Sequence, residues 1–326
     1  MTVTFAGSAD RVESRLVPEA GFELDTFAIS GIPRRLGLGL VRAVFRAVRA
    51  PFSCLRILGK RRPDVVLGGG GYVAGPMVLA ARVRGIPAVL TEADAHLGLA
   101  NRLAAPLARR VFLAYDIPGR NGPKYRVVGR PIPRAHLGAS RAVGRERFGL
   151  SATEPVLAVF GGLAGARALN ELVVEAFGER GPAVLHIAGE RDYESLRPQV
   201  SRPDYVLLTT TDHFGDALAV ADLALSRAGG TVWELAAAGA PAILVPYPHA
   251  TADHQTENAR YFEQGGGAVV IQEAELAHVP ELVGELLADP ERLARMSEAM
   301  RALARPRAAD EIADELVQLA SERRAS

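Results

Sequence analysis

The feature that most constrains this sequence is a repeated succession: a short continuous apolar run, a glycine or proline break, then a longer Ala-, Leu- and Arg-rich stretch of helical period. The apolar runs fall at residues 3–6, 24–29, 65–67, 88–91, 111–114, 125–128, 156–160, 183–187, 205–208, 223–225, 242–245 and 268–271. Runs this short, apolar at successive positions, suit strands buried on both faces, that is, parallel sheets covered by helices. Their alternation with helical stretches predicts an α/β, doubly wound architecture. At 326 residues the chain is long for one domain and fits two. The Pro-rich break Gly129-Arg-Pro-Ile-Pro133 reads as the linker between them. The expected domains are residues 1–131 and 132–306, the first completed by a terminal helix over 307–326 with Ile312, Leu316 and Leu319 on one face. Two such Rossmann-like domains facing across a cleft would hold ligands at the carboxyl ends of their strands.

Composition narrows the function classes. A net charge of +1 gives no whole-molecule attraction to nucleic acid or membrane, so any such attraction must be local. Cys54 is the sole cysteine, which excludes an intrachain disulfide and a four-cysteine metal site and suits a reducing cytoplasm. The first ten residues lack the basic and long apolar regions of a signal peptide. The longest uncharged run, residues 65–81, is interrupted by Gly68 to Gly71, Gly75 and Pro76, so no membrane-spanning helix is expected.

Glycine loops follow three of the expected strands: Gly68 to Gly75, Gly161 to Ala166, and Ser226-Arg-Ala-Gly-Gly-Thr231. A single glycine after a strand is ordinary turn geometry. Three such loops, each leading into a helix, point to a phosphate-bearing ligand held on backbone N–H groups at helix N-termini. None is a Walker loop, because no Gly-Lys-Ser/Thr follows, and the first lacks the acidic partner of the dinucleotide fingerprint.

These residues resemble the MurG family of peptidoglycan glycosyltransferases. Gly70-Gly-Tyr-Val-Ala-Gly-Pro76 is similar to a glycine loop of that family. The resemblance continues through Gly98-Leu-Ala-Asn-Arg102, Val128-Gly-Arg-Pro131, Gly161-Gly-Leu-Ala-Gly-Ala-Arg167 and Asn170. It extends through Ser226 to Glu234, Ala236-Ala-Ala-Gly239, Val245-Pro246, His254-Gln255 and Asn258, and so covers nearly the whole chain in order. It implies the two-domain GT-B glycosyltransferase fold. It also implies inverting transfer of GlcNAc from UDP-GlcNAc to undecaprenyl-pyrophosphoryl-MurNAc-pentapeptide, lipid I to lipid II, in peptidoglycan synthesis and hence cell-wall biogenesis, cell shape and division. A related transferase using another UDP-sugar or lipid acceptor, and a non-catalytic paralogue that binds nucleotide or lipid, are the alternatives.

Carried over by position, the resemblance implies a UDP-sugar site in the second half. Gly162, Gly165, Ala166, Arg227, Ala228 and Gly229 would surround the diphosphate, with Asn170 close by and Thr211 near the uracil. Glu234 would bind the ribose hydroxyls, and His254 and Gln255 would read the sugar. Without the resemblance, Glu234 is a carboxylate favouring a helix N-terminus, and His254-Gln255 a polar helix start. Gly70, Gly71, Tyr72, Gly75 and Asn101 would hold the acceptor diphosphate.

The sequence also departs from that family. Nothing here corresponds to its first strand and Gly-Gly-Thr-Gly-Gly-His loop, which carries a proposed catalytic histidine, and the expectation is a start codon assigned too late. Leu163 and Ala164 stand where the family has Ser and Gln, and the family's His-Glu-Gln-Asn is Thr91-Glu-Ala-Asp94. Glu92, Asp94 and His96 are therefore the candidates for the base that deprotonates the acceptor hydroxyl, a polar loop without a catalytic part being the other reading. No Asp-x-Asp occurs, so neither a metal nor another cofactor is expected.

Between Gly31 and Arg62 stand nine basic residues and no acidic one. Arg42, Arg46 and Arg49 share one helical face, and Val41, Phe45, Val48 and Phe52 another. Such a stretch either docks peripherally on the anionic, cytoplasmic face of the cell membrane or is a solvated helix whose apolar side is core. The resemblance favours the membrane. Nucleic acid is not an expected partner, because aromatics suited to base stacking are few.

Overall fold

The structure, a computed structural model, describes residues 2–29, 38–161 and 166–325, with residues 38–44 described by their backbone alone. The chain divides into two compact units, Met1–Val128 with Asp310–Ser326, and Gly129–Ala309.

Unit 1 carries β1 (Thr4–Gly7), β2 (Glu23–Thr26), β3 (Val66–Gly68), β4 (Ala88–Glu92), β5 (Arg110–Leu113) and β6 (Tyr125–Val127). All its strand pairs are parallel, β1 with β2 in one sheet and β3-β4-β5-β6 in sequential order in another. Unit 2 carries β7 (Val156–Phe160), β8 (Ala183–Ile187), β9 (Tyr205–Leu208), β10 (Leu223–Ser226), β11 (Ala242–Leu244) and β12 (Ala268–Val270). These form one parallel sheet of order β12-β11-β10-β7-β8-β9. Every residue of β7 and of β10 is buried, as the continuous apolar runs require of strands covered on both faces.

The fold is therefore α/β with two Rossmann-like parallel-sheet units, and each of the sequence-expected runs overlaps a strand, with ends that coincide or differ by at most three residues. In unit 2 the chain winds outward from β7 in one direction to β9, then returns to β10 and winds in the other. That reversal is a topological switch point, where the loops leaving two adjacent strands turn to opposite sides and leave room for a ligand.

The helix Leu38–Arg61 buries Ala50, Cys54 and Leu58, a stripe of i, i+4, i+8 spacing, against a core shared with Phe27, Val66 and Val78. Its stripe of Phe45, Val48 and Phe52 is exposed instead, at 60%, 63% and 70%. At its end Arg61 pairs with Asp25 and Glu23, which pins β2 to the helix. The helix Ala308–Ala325 packs Ile312 and Leu319 against Val89, Phe112 and Val128 of unit 1, with Leu316 beside them. Ion pairs from Glu315 to Arg110, Glu311 to Arg126 and Asp64 to Arg324 hold it there.

Candidate functional site

In unit 2 the pairing of β7 with β10 sets Phe160 opposite Ser226, so the two glycine loops that follow these strands start side by side at the switch point. Ser226 Oγ donates to the Phe160 carbonyl at 3.2 Å and to the Arg227 carbonyl at 3.0 Å, tying the loop starts together. Gly162 and Gly165 lie outside the described residues, and Ala166 is buried at the N-cap of the helix Arg167–Phe177. Ala228 is fully buried, and its carbonyl accepts from Asn258 Nδ2 at 3.2 Å. Gly229 and Gly230 open the helix Thr231–Ala238, and their carbonyls accept from the Val232 and Trp233 amides at 3.4 and 3.1 Å, so the positive end of the helix faces the loop start. Glu234 follows in that first turn, 17% exposed in its side chain.

Two side chains that the sequence reading did not name as site residues stand beside this region. Nδ1 of His136 lies 2.6 Å from Glu234 Oε1 and donates to it, since an ionised carboxylate offers only acceptors. The Arg130 guanidinium lies over Gly230, where an added Cβ would come within 2.5 Å of its Cζ, so the missing side chain makes room for the cation. Both residues come from the stretch that follows β6, which carried only proline and glycine signals in the sequence.

Other candidates turn out to brace the site from within. Asn170 is 0% exposed: Nδ2 donates to the Ala188 carbonyl at 2.9 Å and to Asp192 at 3.0 Å, and Oδ1 accepts from His186 Nε2 at 2.9 Å. With its amide so committed, Asn170 holds the strand ends rather than a ligand. Because Asn170 Oδ1 can only accept, His186 carries its proton on Nε2, and its Nδ1 accepts a hydrogen bond from the Tyr205 hydroxyl at 2.8 Å. Burial keeps His186 neutral, its pKa pushed down from 6.5 to about 3. Asp192 is held at about 2, chiefly by hydrogen bonding from Arg191. Arg227 spends its guanidinium on the Val245 and Pro246 carbonyls and on Glu273, and lies over the Tyr247 ring at 5.5 Å. Gln255 Oε1 accepts from the Tyr247 amide at 2.9 Å. Arg227 and Gln255 thus shape the 245–247 turn. His254 Nδ1 donates to the Thr251 carbonyl at 2.7 Å at the start of the helix His254–Gln264, and Thr211 Oγ1 accepts from the His213 amide at 3.0 Å. A cavity of about 510 Å³ opens farther along the helix Thr231–Ala238, lined by His136, Arg141, Asp222, Gly239, Ser297 and Arg301 among others. None of the described residues expected to bind the UDP-sugar lines it.

In unit 1, the loop after β3 passes through Gly70 and Gly71 at φ of 89° and 66°, then enters the helix Gly71–Val83. Tyr72 is half-buried, faced by Arg11 at 5.7 Å, while Gly75 has open space where a Cβ would stand. Asn101 is 2% exposed and donates through Nδ2 to the Thr91 carbonyl and to Glu92 Oε2, both at 2.9 Å. Like Asn170, it supports a loop and has no N–H left for a diphosphate.

Glu92 is engaged by its own loop. Its Oε1 accepts from the amides of Ala93 at 3.0 Å and Asp94 at 3.3 Å; its Oε2 accepts from Gly98 at 2.9 Å and from Asn101. Four donors on a carboxylate 9% exposed stabilise the charge and occupy the lone pairs a base would use. Glu92 is the organiser of the 93–98 loop, and Asp94 and His96 sit on the loop it organises.

The membrane candidates are not the only exposed apolar side chains of unit 1. Arg46 and Arg49 are exposed, Arg49 lies 5.2 Å over the Phe45 ring, and the side chain of Arg42 lies outside the described residues. The helix Gly71–Val83 exposes Leu79 and Val83, and the helix Leu99–Ala104 exposes Leu99 and Leu103, each an i, i+4 pair. Among the described residues no helix is long and apolar enough to cross a membrane.

Residues 1–113 match the glycosyltransferase family 28 N-terminal domain, and residues 156–312 its C-terminal domain. A UDP-N-acetylglucosamine–N-acetylmuramyl-(pentapeptide) pyrophosphoryl-undecaprenol N-acetylglucosamine transferase of Halothermothrix orenii is 35% identical, over 93% of this chain and 87% of its own. The protein of the same name from Acidithiobacillus ferrooxidans is 40% identical, over 98% and 90%. The crystal structure of Acinetobacter baumannii MurG superposes with a TM-score of 0.76 at 29% identity, covering 97% of this chain and 91% of that one.

Proposed function

The chain belongs to the MurG family within glycosyltransferase family 28, and from that premise we propose that it moves GlcNAc from UDP-GlcNAc to undecaprenyl-pyrophosphoryl-MurNAc-pentapeptide. The observation that carries the donor half is the pairing of the β7 and β10 ends, from which the two glycine loops start at the switch point, with Glu234 one helical turn beyond Gly230. In this reading Glu234 accepts from the ribose hydroxyls, and His254, first residue of the helix His254–Gln264, reads the sugar hydroxyls. In the transfer, the acceptor hydroxyl forms a bond to the anomeric carbon from the face opposite the nucleotide. The bond from that carbon to the diphosphate oxygen breaks, and UDP leaves with the electron pair. The first turn of the helix Thr231–Ala238 and the Arg130 cation stabilise the charge growing on the diphosphate. Asp94 and His96, on the loop of unit 1 that Glu92 braces, are the candidates to take the hydroxyl proton.

The acceptor is lipid-linked, and we assign its membrane contact to the exposed Phe45, Val48 and Phe52 with Arg46 and Arg49, at the cytoplasmic face. An apolar stripe left uncovered beside exposed guanidiniums fits an anionic lipid surface better than water.

Titration calorimetry with UDP tests the donor site. Glu234→Ala is expected to weaken binding by about 1–3 kcal/mol, on the order of tenfold to a hundredfold, by leaving the ribose hydroxyls unpaired. Equal affinity of the two proteins for UDP removes Glu234 from the site. A radiolabelled transfer assay from UDP-GlcNAc to lipid I tests the reaction itself.

A further inference from the structure

We infer that His136 is a positioning residue for nucleotide recognition: its Nδ1–H holds the Glu234 carboxylate in the rotamer that presents the remaining lone pairs to the ribose hydroxyls. This rests on the reading of Glu234 given above.

The two residues are 98 positions apart in sequence and meet at 2.6 Å, with side chains 22% and 17% exposed. The histidine is itself held on two sides. Its ring packs against Phe214 at 5.3 Å, and Phe214 stands edge-on to Phe160 at 5.3 Å, the last residue of β7. Behind it, Gly215 lets the backbone of 134–136 approach: a Cβ there would lie 2.6 Å from the Ala135 carbonyl oxygen and 3.0 Å from His136 Cα. The imidazole is therefore braced, through Phe214, against the strand end that launches the second glycine loop, and it ties the carboxylate to that frame.

The chemistry favours a device over an incidental contact. A carboxylate has about four lone-pair sites; one donor on Oε1 leaves three, enough for two vicinal hydroxyls. A glutamate side chain is among the costlier to immobilise, so a rotamer held before the nucleotide arrives binds it with a smaller ordering loss. His136 never needs to touch the ligand to do this.

The test is calorimetric binding of UDP and of 2′,3′-dideoxy-UDP to the full chain. Wild type is expected to bind the dideoxy nucleotide more weakly. His136→Ala is expected to bind UDP roughly tenfold more weakly than wild type. It should bind dideoxy-UDP unchanged, because no ribose hydroxyl is left for the freed carboxylate to miss. His136→Asn, whose Nδ2 reaches the position of Nδ1, should recover most of the loss. Unchanged dideoxy-UDP binding also certifies that the variants are folded. If wild type discriminates and His136→Ala loses affinity for both nucleotides equally, or for neither, the inference is overturned while the reading of Glu234 stands. If wild type itself binds both nucleotides equally, Glu234 does not read the ribose and the inference falls with that reading.

Discussion

Replacing Glu92 with glutamine changes one atom and inverts the hydrogen bonding at a point where four donors converge. The carboxamide oxygen can keep the Ala93 and Asp94 amides at 3.0 and 3.3 Å, but its NH₂ then faces the Gly98 amide and Asn101 Nδ2, both at 2.9 Å from the present oxygen. Flipping the amide only exchanges which pair is lost. Two hydrogen bonds to a charged acceptor are worth about 1.5–3 kcal/mol each, and the donors, on a residue 9% exposed, have little water to turn to. Coupling between neighbouring bonds makes the sum less than additive, so a destabilisation of about 3 kcal/mol is expected. For a unit of this size that lowers Tm by about 6–12 °C. Scanning calorimetry of Glu92→Gln should show the drop, with a larger one for Glu92→Ala, while UDP affinity stays as in wild type. A catalytic base behaves oppositely: Glu92→Gln would fold as wild type and lose about a hundredfold or more in transfer rate. A Tm within about 2 °C of wild type, together with that rate loss, refutes the organising role.

The buried network around Asn170 makes stability depend on pH. His186 titrates at about 3 in the fold against 6.5 ordinarily. Above about 6.5 both folded and unfolded states leave it neutral; below, the unfolded chain takes up a proton that the folded chain refuses, so stability falls by up to about 1.4 kcal/mol per pH unit as pH drops toward 3. Urea unfolding at pH about 7 and about 5 should show the loss, and His186→Gln should flatten it; a flat wild-type profile contradicts the assignment. Cys54 is 0% exposed, with its thiol pushed up to about 12 by burial, so iodoacetamide should modify it only in denaturant. Rapid labelling of the native chain would mean that the helix Leu38–Arg61 opens. Changing Arg46 and Arg49 together to Gln should weaken binding to anionic vesicles by about 2 kcal/mol, roughly thirtyfold, and Phe45→Ser with Phe52→Ser should weaken it in high salt as well. Binding unaffected by either pair would make this surface a merely solvated one.

Local sequence determined the elements of this protein and which residues stand at the ends of β7 and β10. Continuous apolar runs specify buried strands because a residue apolar at every position has no face to give to water, and β7 and β10 are buried throughout. Glycines after those runs, and Glu234 five residues past Gly229, were legible because loop and helix start are contiguous in the chain. What periodicity could not decide is which apolar stripe a neighbour covers. The Phe45–Phe52 stripe reads as well for core as for surface, and the small side chains of Ala50 and Cys54 won the core. The polar residues were less legible still. Asn101, Asn170 and Glu92 look like ligand-binding or catalytic groups in a motif, yet each is spent on internal partners supplied by other elements. His136 looked like nothing and reaches Glu234. A side chain's hydrogen-bond capacity is set by its chemistry, but its partners are set by strand order and packing, and only the tertiary structure brings together groups that lie 98 residues apart.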